Sequence, residues 1–126
     1  MISSSIRIAV TIVALGVGPA RAAELVMFER AGCVWCERFN AEIGRIYDKT
    51  DEGAKAKLRR VDLGQAAPAD LSQIKAAPFT PTFVLIEDGK EIGRIEGYPG
   101  ENFFFGYLDN LLAKLDRTKS AAALSN

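Results

Sequence analysis

Two cysteines separated by two residues, Cys33 and Cys36, are the only cysteines in this chain of 126 residues. They follow the apolar run Leu25-Val26-Met27-Phe28 and precede a stretch with helical periodicity. A strand that feeds a Cys-x-x-Cys at the start of a helix predicts a thiol–disulfide redox site. Backbone N–H groups at a helix N-terminus favour thiolate over thiol on the first cysteine. The second cysteine is close enough to resolve a mixed disulfide. Three other readings of the pair exist. A structural zinc site needs about four Cys or His ligands, and the chain has two Cys and no His. A purely structural disulfide across so short a loop recovers little loop-closure entropy. Two inert buried thiols would leave the spacing and the strand-to-helix placement unexplained.

The N-terminus reads as a targeting segment. A short polar start carrying Arg7 leads into the apolar core Ile8–Val17, then Gly18-Pro19 and the small-residue pattern Ala20-Arg21-Ala22. This layout predicts a secretory signal, residues 1–22, cleaved after Ala22. An uncleaved membrane anchor is the alternative, although the apolar core is too short to span a bilayer as a helix. The expected mature chain begins at Ala23 and is soluble. Losing Arg7 and Arg21 leaves it with two more acidic than basic residues. Arg59-Arg60 is an isolated basic pair, so nucleic acid is not an expected partner. Export places the cysteines where disulfides persist.

Along the chain, Glu24 to Glu29 predicts a first strand buried on both faces. A helix is expected from Cys33 or Val34 to Lys49, its apolar face formed by Phe39, Ile43, Ile46 and Tyr47. Glu37, Arg38, Glu42 and Arg45 read as a solvated face with weak i,i+4 pairing. Thr50-Asp51-Glu52-Gly53 breaks the pattern, and Ala54 to Lys57 fits either helix or turn. Leu58 to Leu63 predicts a second strand with Val61 and Leu63 inward. A short helix from Asp70 to Lys75 buries Leu71 and Ile74. Ala76 to Pro81 is extended, because proline disfavours helix at the residue before it. Thr82 to Ile86 is a third strand, and Asp88-Gly89 is a hairpin turn signal. The fourth strand is Glu91 to Gly97. Its apolar Ile92 and Ile95 are three apart, and Gly93 marks a candidate bulge. A last helix is expected from Glu101 to Arg117, with Phe104, Leu108, Leu111 and Leu115 as a stripe widened by Phe105 and Leu112. Ser120 to Asn126 reads as a frayed, flexible tail, which leaves residues 23–119 as one domain.

Three stretches together resemble the thioredoxin family: Leu25-Val26-Met27-Phe28, Cys33-Val34-Trp35-Cys36, and Thr80-Pro81-Thr82-Phe83-Val84-Leu85 with Asp88-Gly89. The resemblance implies an α/β protein with a compact thioredoxin fold, ordered β-α-β-α-β-β-α, whose central mixed four-stranded sheet is flanked by helices. It implies that Pro81 has a cis peptide bond and lies against the cysteine pair, and that Thr80 presents backbone groups to a substrate peptide. Cys33 is then the attacking nucleophile and Cys36 the resolving thiol, with Val34 and Trp35 offering apolar contact to the partner.

The chain also departs from the family. The cytosolic members carry a buried Asp six residues ahead of the first cysteine, where this chain has Met27, so the proton handling assigned to that carboxylate does not carry over. Resolution by Cys36 then depends on water or on a nearby exposed group such as Glu29 or Glu37. The strongly oxidising periplasmic members have a His between the cysteines and a helical insertion. The isomerases have a dimerisation domain. This chain has none of these. Its export signal, size and Cys-Val-Trp-Cys site are most similar to the small periplasmic thioredoxins of bacterial sulfur-oxidation (Sox) systems. The expected activity is a periplasmic thiol–disulfide oxidoreductase that reduces disulfides or blocked cysteines of exported proteins. The resemblance implies a monomer fed by a membrane thiol reductase as electron donor. Disulfide donation and a non-catalytic binding module are the alternatives. No metal is implied, and no cofactor, because the dithiol itself carries the electrons.

Overall fold

A computed structural model of the chain describes residues 22–125. The expected secretory signal therefore lies, apart from Ala22, outside the described residues. Strand β1 is Glu24–Glu29, β2 Lys57–Asp62, β3 Thr82–Glu87 and β4 Lys90–Glu96. They form one sheet in the order β2-β1-β3-β4. The β1–β2 pair is parallel and the other two pairs are antiparallel, so the sheet is mixed. No helix among the described residues is long and apolar enough to cross a membrane.

Alternation along β1 builds two cores. Leu25 and Met27 point to one face, where helix α1 (Val34–Phe39) and helix α3 (Glu101–Leu124) supply Cys36, Phe39, Phe104, Leu108, Leu112 and Leu115. Val26 and Phe28 point to the other face and meet Val61, Leu71, Val84 and Ile86. A strand apolar at four consecutive positions needs cover on both sides.

Several local elements depart from expectation. The helix after the cysteines is not uniform. Helix α1 passes into a π-helical turn, Asn40–Gly44, and then a 3-10 turn, Tyr47–Lys49. The wide turn shifts the helical phase, so Phe39, Ile43 and Tyr47 stay fully buried while Ile46 is exposed. Thr50 starts a second helix, α2 (Asp51–Lys55), by accepting the Gly53 N–H on its side-chain oxygen at 3.0 Å. Thr50 to Gly53 is thus a capped helix start rather than a break.

The helix expected from Asp70 to Lys75 is only a 3-10 turn, Ala69–Leu71, followed by a further turn closed by Ile74 N–H to Leu71 C=O. Leu71 and Ile74 are three apart, the spacing at which side chains of a 3-10 turn eclipse. Arg59 clamps this turn to β2 with two hydrogen bonds to Asp70, at 2.6 and 2.9 Å. In β4 the register slips by one residue opposite Leu85 and Ile86, leaving Ile92 as the extra residue beside Gly93. The bulge lets Ile92 and Ile95, three apart, pack on the same core. Asp88 and Gly89 both adopt positive φ in the hairpin, the geometry that favours Asp-Gly. Helix α3 runs on to Leu124, seven residues past the expected end. Its extension, Ser120-Ala121-Ala122-Ala123-Leu124, is rich in alanine, the strongest helix former. The expected tail is therefore helical over those residues.

Candidate active site

Strand β1 ends at Glu29, and Arg30-Ala31-Gly32 turns the chain toward α1. The Cys33 N–H donates to the Arg30 carbonyl at 3.3 Å, and Gly32 takes φ +75°, a backbone region that only glycine enters freely. Cys33 becomes the N-cap of α1, and the Cys36 N–H donates to its Sγ at 3.1 Å. The two sulfurs form a disulfide with the Cα atoms 5.2 Å apart. Cys36 is buried beside Met27 and Phe39, whereas Cys33 is half-buried. When the bond is open, the helix-start N–H stabilises negative charge on Cys33. Apolar burial disfavours charge on Cys36. The arrangement therefore supports nucleophilic chemistry at the first sulfur more readily than at the second.

Val34 and Trp35, between the cysteines, are 70% and 52% exposed. Thr80 is half-buried and Pro81 buried, joined by a cis peptide bond. Antiparallel pairing sets Thr82, the first residue of β3, opposite Phe28 near the end of β1. Thr80 and Pro81 thus reach the end of the sheet from which the cysteine loop departs. A cleft of about 300 Å³ is lined by Arg30 of that loop together with Pro78, Phe79 and Thr80. The buried Thr82 hydroxyl donates to the Phe79 carbonyl at 2.8 Å, and the Gly97 N–H donates to the Pro81 carbonyl at 2.8 Å. These two bonds hold the segment from both sides.

A second cleft, of about 290 Å³, opens beside the sulfurs between Glu29, Glu37, Asn40 and Asp62. Arg60 reaches two of these residues. Its Nη1 donates to Glu29 Oε2 at 2.7 Å and its Nη2 to Asn40 Oδ1 at 2.7 Å. Nη1 also lies 3.6 Å from Met27 Sδ. Arg59 and Arg60 keep the exposure of a surface pair, and each is also tied to neighbours: Arg59 clamps a turn, and Arg60 bridges Glu29 and Asn40 beside the site. The β1–β2 register, which sets Arg60 opposite Met27, is the only clue to that role, and it is not visible in the sequence.

Arg38 and Glu42 do pair, at 2.8 Å, but they also reach outward. The Arg38 guanidinium carbon lies 5.5 Å from the Trp35 ring centroid, and the Tyr98 hydroxyl donates to Glu42 Oε2. The hydrogen bonds from Arg38 and then Tyr98 hold the Glu42 carboxyl below its ordinary pKa. Burial, and next Glu42, push the Tyr98 phenol up. Phe79, 61% exposed next to Thr80, joins the site as part of the cleft lining. Its position between Pro78 and the Thr80-Pro81 bond is the signal for that place in the sequence.

A thioredoxin-like domain profile matches residues 19–112. Among solved structures, the chain is similar to the periplasmic thioredoxin SoxS of Paracoccus pantotrophus, in its reduced form. The two share 42% identity over 74% of this chain and 98% of that one, with a TM-score of 0.69. A thioredoxin of Fasciola hepatica is 26% identical over 71% of this chain and 80% of its own, with a TM-score of 0.53. A thioredoxin-fold protein of Helicobacter pylori, 21% identical over 79% and 86%, with a TM-score of 0.56, shares the fold. No curated protein sequence matches the chain.

Proposed function

Because the chain belongs to the thioredoxin-like family, we propose that it is an exported thiol–disulfide oxidoreductase that reduces disulfides or blocked cysteines of exported proteins. The observation that carries this reading is the Cys36 N–H donated to Cys33 Sγ at the start of α1. It supports a stabilised thiolate at Cys33 once the disulfide is opened. In the reduced protein the Cys33 thiolate attacks one sulfur of a substrate disulfide. The substrate S–S bond breaks, its other sulfur leaves as a thiolate, and Cys33 is held in a mixed disulfide. Cys36 then loses its proton to water or to an exposed carboxylate in the adjoining cleft. Its sulfur attacks Cys33 Sγ and releases the second substrate thiol. Two electrons pass from the dithiol to the substrate. Val34, Trp35, Thr80 and Pro81 form the docking edge.

The 42% identity with a periplasmic thioredoxin supports a periplasmic location; in this proposal the signal is cleaved after Ala22 and the protein serves sulfur-oxidation proteins. A membrane thiol reductase is the electron donor in this proposal, and the protein works as a monomer. The test combines insulin reduction driven by a small dithiol with the equilibrium reduction potential. A reductase gives turnover and a potential near the about −270 mV of thioredoxins. A value near about −120 mV makes the protein a disulfide donor, and no turnover makes it a binding module. Cys36→Ser is expected to trap mixed disulfides through Cys33, and Cys33→Ser to trap few. Equal trapping by both would overturn the assignment of roles.

A further inference from the structure

We propose that the side-chain series Tyr98–Glu42–Arg38 holds the Trp35 indole as a preformed docking face at the rim of the disulfide, so that Arg38 is a positioning residue for protein substrates. The inference rests on the disulfide-exchange reading above and extends it to how a partner is bound. An indole that is 52% exposed between two cysteines has no reason of its own to keep one orientation. Arg38 lies three residues on, a neighbour on the same helical face. Its guanidinium carbon is 5.5 Å from the ring centroid, within the range of cation–π attraction.

That guanidinium is itself fixed. Its Nε donates to Glu42 Oε1 at 2.8 Å, and the second carboxylate oxygen of Glu42 accepts the Tyr98 hydroxyl. Tyr98 is 6% exposed. Its ring meets Phe39 edge-on with centroids 5.6 Å apart, and Phe104 at 6.2 Å. An exposed aromatic in the first turn of α1 is therefore tied, through one ion pair and one hydrogen bond, to the core between α1 and α3. Each link alone is weak, because water screens exposed charges. Anchored at its buried end, the series orders the indole before a partner arrives. Ordering in advance lowers the entropy lost on binding. The consequence falls on substrate affinity rather than on the sulfur chemistry.

The protein has a single tryptophan, so its fluorescence anisotropy and acrylamide quenching report Trp35 directly in the reduced form. Arg38→Met is expected to lower the anisotropy, increase quenching, and raise KM for a protein disulfide such as insulin about two- to fivefold, with kcat changed much less. Arg38→Lys keeps a cation over the ring and restores most of both readouts. Tyr98→Phe keeps the buried ring and loses the anchor, and it moves both in the same direction as Arg38→Met. The proposal is overturned if Arg38→Met leaves anisotropy and quenching unchanged. It is also overturned if the indole loosens without a rise in KM, or if kcat falls as much as KM rises. An unsubstituted protein that reduces no disulfide removes the docking role together with the proposed function. The anisotropy comparison then still tells that failure apart from a series that does not hold the ring.

Discussion

Met27 stands where the family resemblance leads one to expect a buried carboxylate. Its side chain is fully buried in the same cluster as Cys36, so it fills space behind the disulfide and cannot titrate. A carboxylate placed there would ordinarily cost about 1–3 kcal/mol as a poorly satisfied buried polar group. Arg60 alters that expectation, because its Nη1 lies 3.6 Å from Met27 Sδ and offers a new carboxylate a charged partner. Met27→Asp is therefore expected to lower stability by about 1 kcal/mol, at the low end of that range. Adding Arg60→Met is expected to bring the cost of the aspartate to about 3 kcal/mol. Urea unfolding of the four members of this double-mutant cycle measures the difference. Stopped-flow turnover should show faster resolution of the mixed disulfide near neutral pH in Met27→Asp, because an added carboxylate beside Cys36 can accept its proton. No change in either rate or stability would mean that position 27 has no contact with the site.

Between α1 and β2 the chain reverses through a series of close backbone contacts. The Thr50 hydroxyl donates to the Tyr47 carbonyl at 2.6 Å, and the Tyr47 hydroxyl donates to the Ala56 carbonyl at 2.8 Å. Gly53 lies so near this bend that an added Cβ would fall 2.0 Å from the Tyr47 carbonyl oxygen. Backbone cannot give way as a side chain can, so Gly53→Ala is expected to cost about 1–3 kcal/mol by overpacking. At Gly106, on α3, an added Cβ meets nothing within 4 Å. Gly106→Ala is expected to gain about 0.5–1 kcal/mol from helix propensity. Opposite shifts in the denaturation midpoint check the pair.

The contact between α2 and α3 carries an electrostatic strain of its own. Partial burial and then the neighbouring Glu52 raise the Asp109 carboxyl, while Lys55 offsets them. A carboxyl raised in the folded state imposes no penalty below its unfolded pKa, and the full penalty appears above its folded one. Asp109→Asn is therefore expected to stabilise the protein at pH 7 by about 0.5 kcal/mol or less, because the group is largely exposed. The gain should vanish as pH falls below the ordinary carboxylate range. Thermal melts across pH check the sign, and a larger gain at acid pH would refute it.

Across the whole molecule, stability is unevenly placed along α3. Leu115 is buried, whereas Ser120 to Leu124 are exposed. Among the described residues, Lys119 Nζ ties the helix to the sheet at Glu87 Oε1, 3.1 Å away. Truncation after Lys119 is expected to change stability by less than about 0.5 kcal/mol, since it removes only surface. Truncation after Lys114 removes a buried leucine and is expected to cost about 2–5 kcal/mol. Urea midpoints of the two truncated proteins separate these outcomes, and a large loss from the shorter deletion would show that the exposed turns of α3 contact the domain.

The four strands, the apolar stripe of α3 and the disulfide pair were legible from the sequence because each follows from local order alone. Short apolar runs bounded by turn residues, an apolar period of three to four, an Asp-Gly pair and two cysteines two apart are properties of neighbouring residues. The π-helical turn that exposes Ile46 was not legible, because it is chosen by packing of Phe39, Ile43 and Tyr47 against the sheet. The Asp70 to Lys75 helix failed for a related reason, since two apolar residues three apart fit a 3-10 turn as well as an α-helix until the sheet beneath selects one. At the site, the sequence placed the sulfurs and the residues between them. It could not place Arg60 behind Met27 or Tyr98 beside Glu42. Those pairs are 33 and 56 residues apart, and only strand register and helix packing bring them into contact.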